Sequence, residues 1–298
     1  MLPNPQLKDA YEKIVWVYVY RDFSKSKADR AAERISLRFG VTSWPQLFLA
    51  DPATMKILAH TGRKVKSFNG AVERTMVKPA RTLAAAERVA AAEKRAILLE
   101  NKPSVGAAKK HIDDEDIVVR TRALEILAAK KPALVVARAQ ELLAVPNDPF
   151  RYAVCQVLAK AADPKAARAL EALVRDPKPS LNPNVLRIRA VQALATCGNA
   201  ESVAVIAPHA SSGVYFNGLT GVSVDALAAI AKRDRGARKA VDRVLRASYP
   251  PPPKDANDKR AMRACVALAK RVHTARGAKI SFPKVYDAES RESLAESR

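Results

Sequence analysis

The spacing of apolar positions changes character once along the chain. Ile14–Tyr20, IVWVYVY, is a short unbroken run of β-branched and aromatic residues. Such a run predicts a strand buried on both faces. Asp22 and Ser24 offer caps for a helix over Ser26–Phe39, in which Ala28, Ala31, Ala32, Ile35 and Phe39 fall on one face. Gly40 suits the end of that helix. Gln46–Ala50 and Lys56–His60 read as two further strands around an Asp51-Pro52 turn. Ser67–Met76 reads as a short helix. From Thr82 the period is helical throughout, beginning with a helix over Thr82–Glu100 rich in alanine and glutamate. A four-residue signature then recurs at Arg120–Ala123, Arg151–Val154, Arg187–Ala190 and Ser223–Ala226, each leading into an apolar helix. The starts are 31, 36 and 36 residues apart. All-helical repeats of that length predict a solenoid of helix pairs. Partner helices are expected at Ala133–Ala144, Lys165–Val174, Glu201–Ala207 and Gly236–Ala247. Asp116, Asp148 and Asn184 stand at the starts of repeat helices, where acidic or amide side chains are expected as caps. A proline run, Pro250–Pro253, ends the array. A last helix is expected over Ala256–Thr274, followed by a polar tail.

Phe39, Gly40, Val41, Pro45, the Leu47–Leu49 strand and Gly62 resemble the C-terminal half of a thioredoxin-like domain, over roughly residues 13–78. The resemblance implies a cis peptide bond at Pro45. It also implies a preceding half bearing a C-x-x-C motif. No such motif is present, and only thirteen residues precede Ile14. In another register Ile14–Tyr20 stands before the redox helix, with Asp22–Lys25 in place of C-x-x-C. Either register leaves no redox dithiol. The helical repeats resemble HEAT repeats through D-x-x-V-R-like starts at Asp116 to Arg120 and Asp148 to Arg151, over about residues 103–247. The fourth unit has Ser223 in place of the arginine. The expected fold is thus a partial thioredoxin-like α/β module over 1–80, a connecting helix over 81–102, and a HEAT-like all-α solenoid over 103–248. Residues 249–298 supply a proline-rich turn, a basic capping helix and the tail.

With 298 residues there is room for two cores. Ten glycines argue against glycine-rich phosphate loops. The net charge of +22 is uneven: +7 over 1–78, +5 over 79–231, +11 over 232–279 and −1 beyond. A basic field draws anionic partners. Arg235, Arg238, Lys239, Arg243 and Arg246 in one helical segment, with Lys259, Arg263 and Lys270 in the last helix, form the candidate anion or partner surface. These segments lack the aromatic platforms that base stacking wants. A terminal repeat also needs a polar outer face, and that requirement favours the capping role over phosphate binding. The expected partner is therefore a protein or peptide along the solenoid, with nucleic acid the lesser alternative. No apolar run reaches the length of a membrane span. Met1–Gln6 does not open a signal peptide, so the expected location is cytoplasmic as written, and periplasmic or secreted if an upstream signal exists.

Cys155, Cys197 and Cys265 are far apart and sit in apolar helical patterns, as small buried hydrophobes do. His60, His111, His209 and His273 are scattered without a motif. Metalloprotease, nucleophile-elbow and Walker signatures are absent, and no cofactor is implied. Asp113–Asp116 is read as a helix start rather than a cation site. The loops Asp176–Pro183 and Ala210–Gly221 interrupt the repeats, where binding faces can form. The function expected is a non-catalytic interaction scaffold. The alternatives are a thiol–disulfide oxidoreductase whose catalytic half is missing from this chain, and a phosphate- or nucleic-acid-binding solenoid.

Overall fold

The computed structural model describes residues 27–41, 47–51, 57–61, 65–75, 83–180, 182–211, 218–251, 258–277 and 283. These divide into two compact units. One comprises the described residues up to Lys130 together with Asn147–Phe150; the other comprises Lys131–Pro146 and those from Arg151 onward.

The described residues of the first unit open with α1 (Lys27–Arg38). Gly40 ends it at φ +63°, with Gly40 N–H donating to Leu37 O and Val41 N–H to Ser36 O. This pair of bonds is the Schellman motif, and glycine is favoured at its left-handed position. Strands β1 (Leu47–Ala50) and β2 (Ile57–Thr61) pair antiparallel, Leu47 opposite Thr61 and Leu49 opposite Ala59, with an irregularity at Leu49/Ala50. Phe39 lies against Phe48, ring centroids 4.9 Å apart. Helix α2 (Val65–Thr75) covers the ribbon, burying Phe68, Ala71 and Val72. Among the described residues the sheet has two strands, so the thioredoxin-like resemblance gains no support from them. The expected strand at Ile14–Tyr20 and the expected cis bond at Trp44–Pro45 both lie outside the described residues. Within them the cis X-Pro bond is Lys178–Pro179.

Helices α3 (Leu83–Asn101), α4 (Val105–His111) and α5 (Ile117–Lys130) complete the unit. Leu37 of α1 packs in one cluster with Ala92, Ala96 and Leu99 of α3 and Val118 and Val119 of α5. The buried positions only partly follow the predicted stripe: Ala32 and Phe39 on it are buried, Ala31 and Ile35 are half-buried, and Ser36 and Leu37 off it are buried as well.

The second unit is all helical among its described residues. It contains α6 (Pro132–Ala137), α7 (Ala139–Ala144), most of α8 (Asp148–Ala161), a 3-10 turn (Pro164–Ala166) and α9 (Ala167–Arg175). Then follow α10 (Pro183–Cys197), α11 (Ala200–Ala210), α12 (Gly218–Arg233), α13 (Arg238–Ala247) and α14 (Lys259–Arg276). The single helix expected over Ala133–Ala144 is two, broken at Arg138 (φ −111°, ψ 16°). Helix α12 packs against α10, α11, α13 and α14. Enclosure on several sides explains why its buried set runs through Leu219, Thr220, Gly221, Ser223, Val224, Ala226, Leu227 and Ile230, a set no single stripe would give.

The arginine of the repeat signature has a physical role. Arg120 Nε donates to Asp114 O just beyond α4, at 3.1 Å. Arg151 donates to Ala144 O at the end of α7 and to Pro177 O and Pro179 O. Arg187 Nε donates to Val174 O near the end of α9, at 3.0 Å. The last carbonyls of a helix have no partner within it and carry partial negative charge, so a cation reaching back from the next helix satisfies both. The fourth unit, with buried Ser223, closes otherwise. Arg233 of α12 donates to Ala195 O and Gly198 O at the end of α10, and Arg238 Nε donates to Ala231 O near the end of α12.

Caps fall close to their expected places. Asp116 Oδ1 accepts from Val118 N–H at 3.0 Å. The other two expected caps shift: Asn147, not Asp148, accepts from Phe150 N–H, and Asn182, not Asn184, accepts from Val185 N–H.

Candidate functional site

The basic end of the second unit holds most of the predicted site residues, on α13, α14 and the turn between α12 and α13. Val241 and Leu245 are buried under α13, with Ala237 just before it. Arg235, Arg238, Lys239, Arg243 and Arg246 are exposed. Ala240 is exposed as well, and the buried line follows residues 237, 241 and 245, four apart. Across α14, Cys265, Ala269 and Val272 are buried, and Lys259, Arg263 and Lys270 are exposed.

The eight predicted cations are not equivalent. Arg238 is committed to the α12 carbonyl described above. Arg246 Nε donates to Asp242 Oδ2 at 2.8 Å, and Arg276 Nε donates to Asp242 Oδ1 at 3.2 Å. Burial pushes the Asp242 carboxyl up, but these two guanidinium groups outweigh it and hold the group below the usual carboxylate range. Arg235, Lys239, Arg243 and Lys270 make no side-chain hydrogen bond or ion pair with the described residues.

Three cations that the sequence reading gave no role also organise this end. Arg271 makes a two-bond pair with Asp225. Its guanidinium occupies the space beside Gly221 that a Cβ there would overlap. Arg276 stands 5.7 Å from the centroid of the Tyr249 ring, and Arg233 caps α10. Their partners are 34 to 46 residues away for Arg271 and Arg276, so local spacing carries no signal for them.

The remaining candidates resolve into structure. Asp114 accepts from Arg95 Nε and Nη2 at 3.0 and 2.9 Å, and Asp116 Oδ2 accepts from Arg38 Nε at 3.2 Å. The two acidic side chains thus serve a helix start and ion pairs. Among the described residues no group of three His, Cys, Asp or Glu is arranged to hold a metal ion. His111 Nδ1 lies 3.2 Å from Asp114 Oδ2, and His60 lies edge-on to Phe48. Burial, with Arg187 nearby, pulls His209 below the ordinary histidine value. All three cysteines are buried. Burial pushes the Cys155 thiol up to about 12 and the Cys197 thiol up to about 11, which removes thiolate character at neutral pH. The loop at Asp176–Pro183 is anchored by Arg151 through its carbonyls. Of the second loop, residues 212–217 lie outside the described residues.

A family model described as HEAT repeats matches residues 107–182. With the helical architecture, that match makes these repeats HEAT-like. No curated protein and no solved structure gives a match. Among the described residues no helix is long and apolar enough to cross a membrane.

Proposed function

We propose that the protein is a non-catalytic interaction scaffold whose HEAT-like helices receive a protein or peptide partner. In this reading the α/β segment before residue 80 is a redox-inactive, thioredoxin-like half. The observation that carries the proposal is the run of helix-pair repeats matched as HEAT repeats, an architecture that commonly binds proteins along extended stacked surfaces. The buried, high-pKa thiols of Cys155 and Cys197 fit a chain without thiol chemistry.

Cross-linking of the natively purified protein followed by mass spectrometry tests this reading. Cross-links to one stoichiometric protein partner should fall on the exposed faces of α8 and α10, near Gln156 and Gln192. Reduction of insulin disulfides by the purified chain would overturn the non-catalytic reading, and the absence of any stoichiometric protein partner would overturn the scaffold.

A further inference from the structure

Residues 232–279 carry fifteen Lys and Arg against four Asp, a net +11. Three of those four acids are committed. Asp234 accepts from the backbone N–H groups of Ala200 and Gly236. Asp242 pairs with Arg246 and Arg276. Asp258 caps α14 by accepting from Ala261 N–H. Arg235, Lys239, Arg243 and Lys270 remain exposed and without a partner among the described residues. Lys239 and Arg243 are four residues apart on α13, about 6 Å along the helix and on one face. Arg235 stands in the turn that leads into the same helix.

A polar end cap explains why this face is hydrophilic. It does not explain an excess of one sign, since mixed charges would solubilise a terminal repeat equally well. The chemistry of the face selects among anionic partners. Protein interfaces are anchored by large apolar and aromatic side chains at their centres. Among the described residues the exposed large apolar side chains are Leu58, Ile97 and Leu98, none on α13 or α14. Single strands are held by stacking on aromatic platforms, and the aromatic residue here, Tyr249, is half-buried beside Arg276. A duplex presents phosphates at high density and is bound through charge alone.

We propose that α13 and α14 bind the phosphate backbone of a nucleic-acid duplex without reading its sequence. The proposal rests on the charged end and not on the scaffold reading.

Fluorescence anisotropy with a short mixed-sequence DNA duplex and the full chain tests it. Neutralising four phosphates gives a slope of about −3.6 in log K against log salt. Two unrelated sequences should give the same slope. The triple variant Arg235→Ala, Lys239→Ala, Arg243→Ala should flatten the slope to about −0.9 and weaken binding at low salt by at least about tenfold. Its far-UV circular dichroism and melting should match the parent, because all three side chains are exposed. Lys109→Ala with Lys110→Ala, exposed cations on α4, should leave binding unchanged. Equal binding by the triple variant, or a slope near zero, would overturn the proposal. So would tighter binding of the single strand, or displacement of the duplex by polyglutamate or anionic vesicles at equal charge. Reduction of insulin disulfides or a missing protein partner leaves this result untouched, so the two readings fail separately.

Discussion

Helix α1 meets α3 and α5 largely through guanidinium and carboxylate groups, whereas α10, α11 and α12 meet through leucine, isoleucine and valine. In the first unit Arg34 pairs with Glu93 and Glu100, and Arg38 with Glu93 and Asp116. Arg122 reaches Glu33 at 3.1 Å, Glu100 at 2.8 Å and Glu125 at 2.6 Å. Leu37 is the apolar anchor of α1 in this contact. In the second unit Leu186, Leu194, Ile206, Leu227 and Ile230 are fully buried, and many of the arginines are spent on helix-end carbonyls. Part-buried ion pairs lose much of their Coulomb gain to desolvation, so they fix orientation better than they add stability. Apolar burial does the reverse: it contributes large, non-directional free energy. The seat of α1 in the first unit is therefore oriented by charge around a small apolar cluster, whereas the contact of α10, α11 and α12 in the second is held by depth of packing.

The largest effect should come from cutting into that depth. Leu194→Ala removes a fully buried side chain from α10. Buried Leu→Ala changes cost about 2–5 kcal/mol, the cavity included. Chemical denaturation should show a loss near about 3 kcal/mol, unaltered by added salt. A loss below about 1 kcal/mol would mean that the helix-end bonds, not the apolar contacts, hold the second unit.

Arg122→Met gives a smaller effect of a different kind. It leaves Glu33, Glu100 and Glu125 without their shared cation while keeping the aliphatic stem. Removing one partner of a fully buried pair costs about 3–5 kcal/mol; with partners about a quarter to a half exposed, about 2 kcal/mol is expected. Amide exchange should speed up in α1 and α5 and stay unchanged in α10 to α12. In about 1 M salt, where the screening length is about 3 Å, the difference between variant and parent should shrink. Equal loss of protection in both units would break the contrast between them.

Much of the local structure was legible in the residues. The helix expected over Ser26–Phe39 is Lys27–Arg38, the two strands beside it are found within a residue, and Gly40 ends α1 as a left-handed glycine should. The period of the repeats pointed to stacked helices, because buried faces recur at fixed spacing. What failed depends on how each helix packs and on which carbonyls and carboxylates lie beside a side chain. Leu37 lay off the predicted stripe because α1 is packed on a second side by α3 and α5. The basic segment looked uniform, yet Arg238 and Arg246 are engaged and Arg235, Lys239 and Arg243 are not; only the placement of Ala231 and Asp242 separates them. The arginine of the repeat signature was legible as a pattern but not as a helix-end cap, since its acceptors sit at the end of the preceding helix or in loops beside it.

The smallest effect should appear at acid pH in the first unit. Burial works to raise the Asp114 carboxyl, but the two hydrogen bonds from Arg95, the backbone N–H of Asp116 and His111 outweigh it and hold the group below its ordinary value. A carboxyl depressed on folding contributes stability that is fully present above its unfolded pKa, about 3.9. That contribution is lost as pH falls through the lower folded value. Because Arg95 is about a third exposed, solvent screening limits the contribution to under about 1 kcal/mol. Asp114→Asn should remove it, so the variant is slightly less stable than the parent at pH 7 and converges with it as the pH drops below about 4. Denaturant titrations across that range, read together with amide exchange in α5, measure the convergence. Parallel curves that never meet would mean the Asp114 side chain acts through shape and neutral hydrogen bonds, and the charge lattice of the first unit would then stop at Asp116.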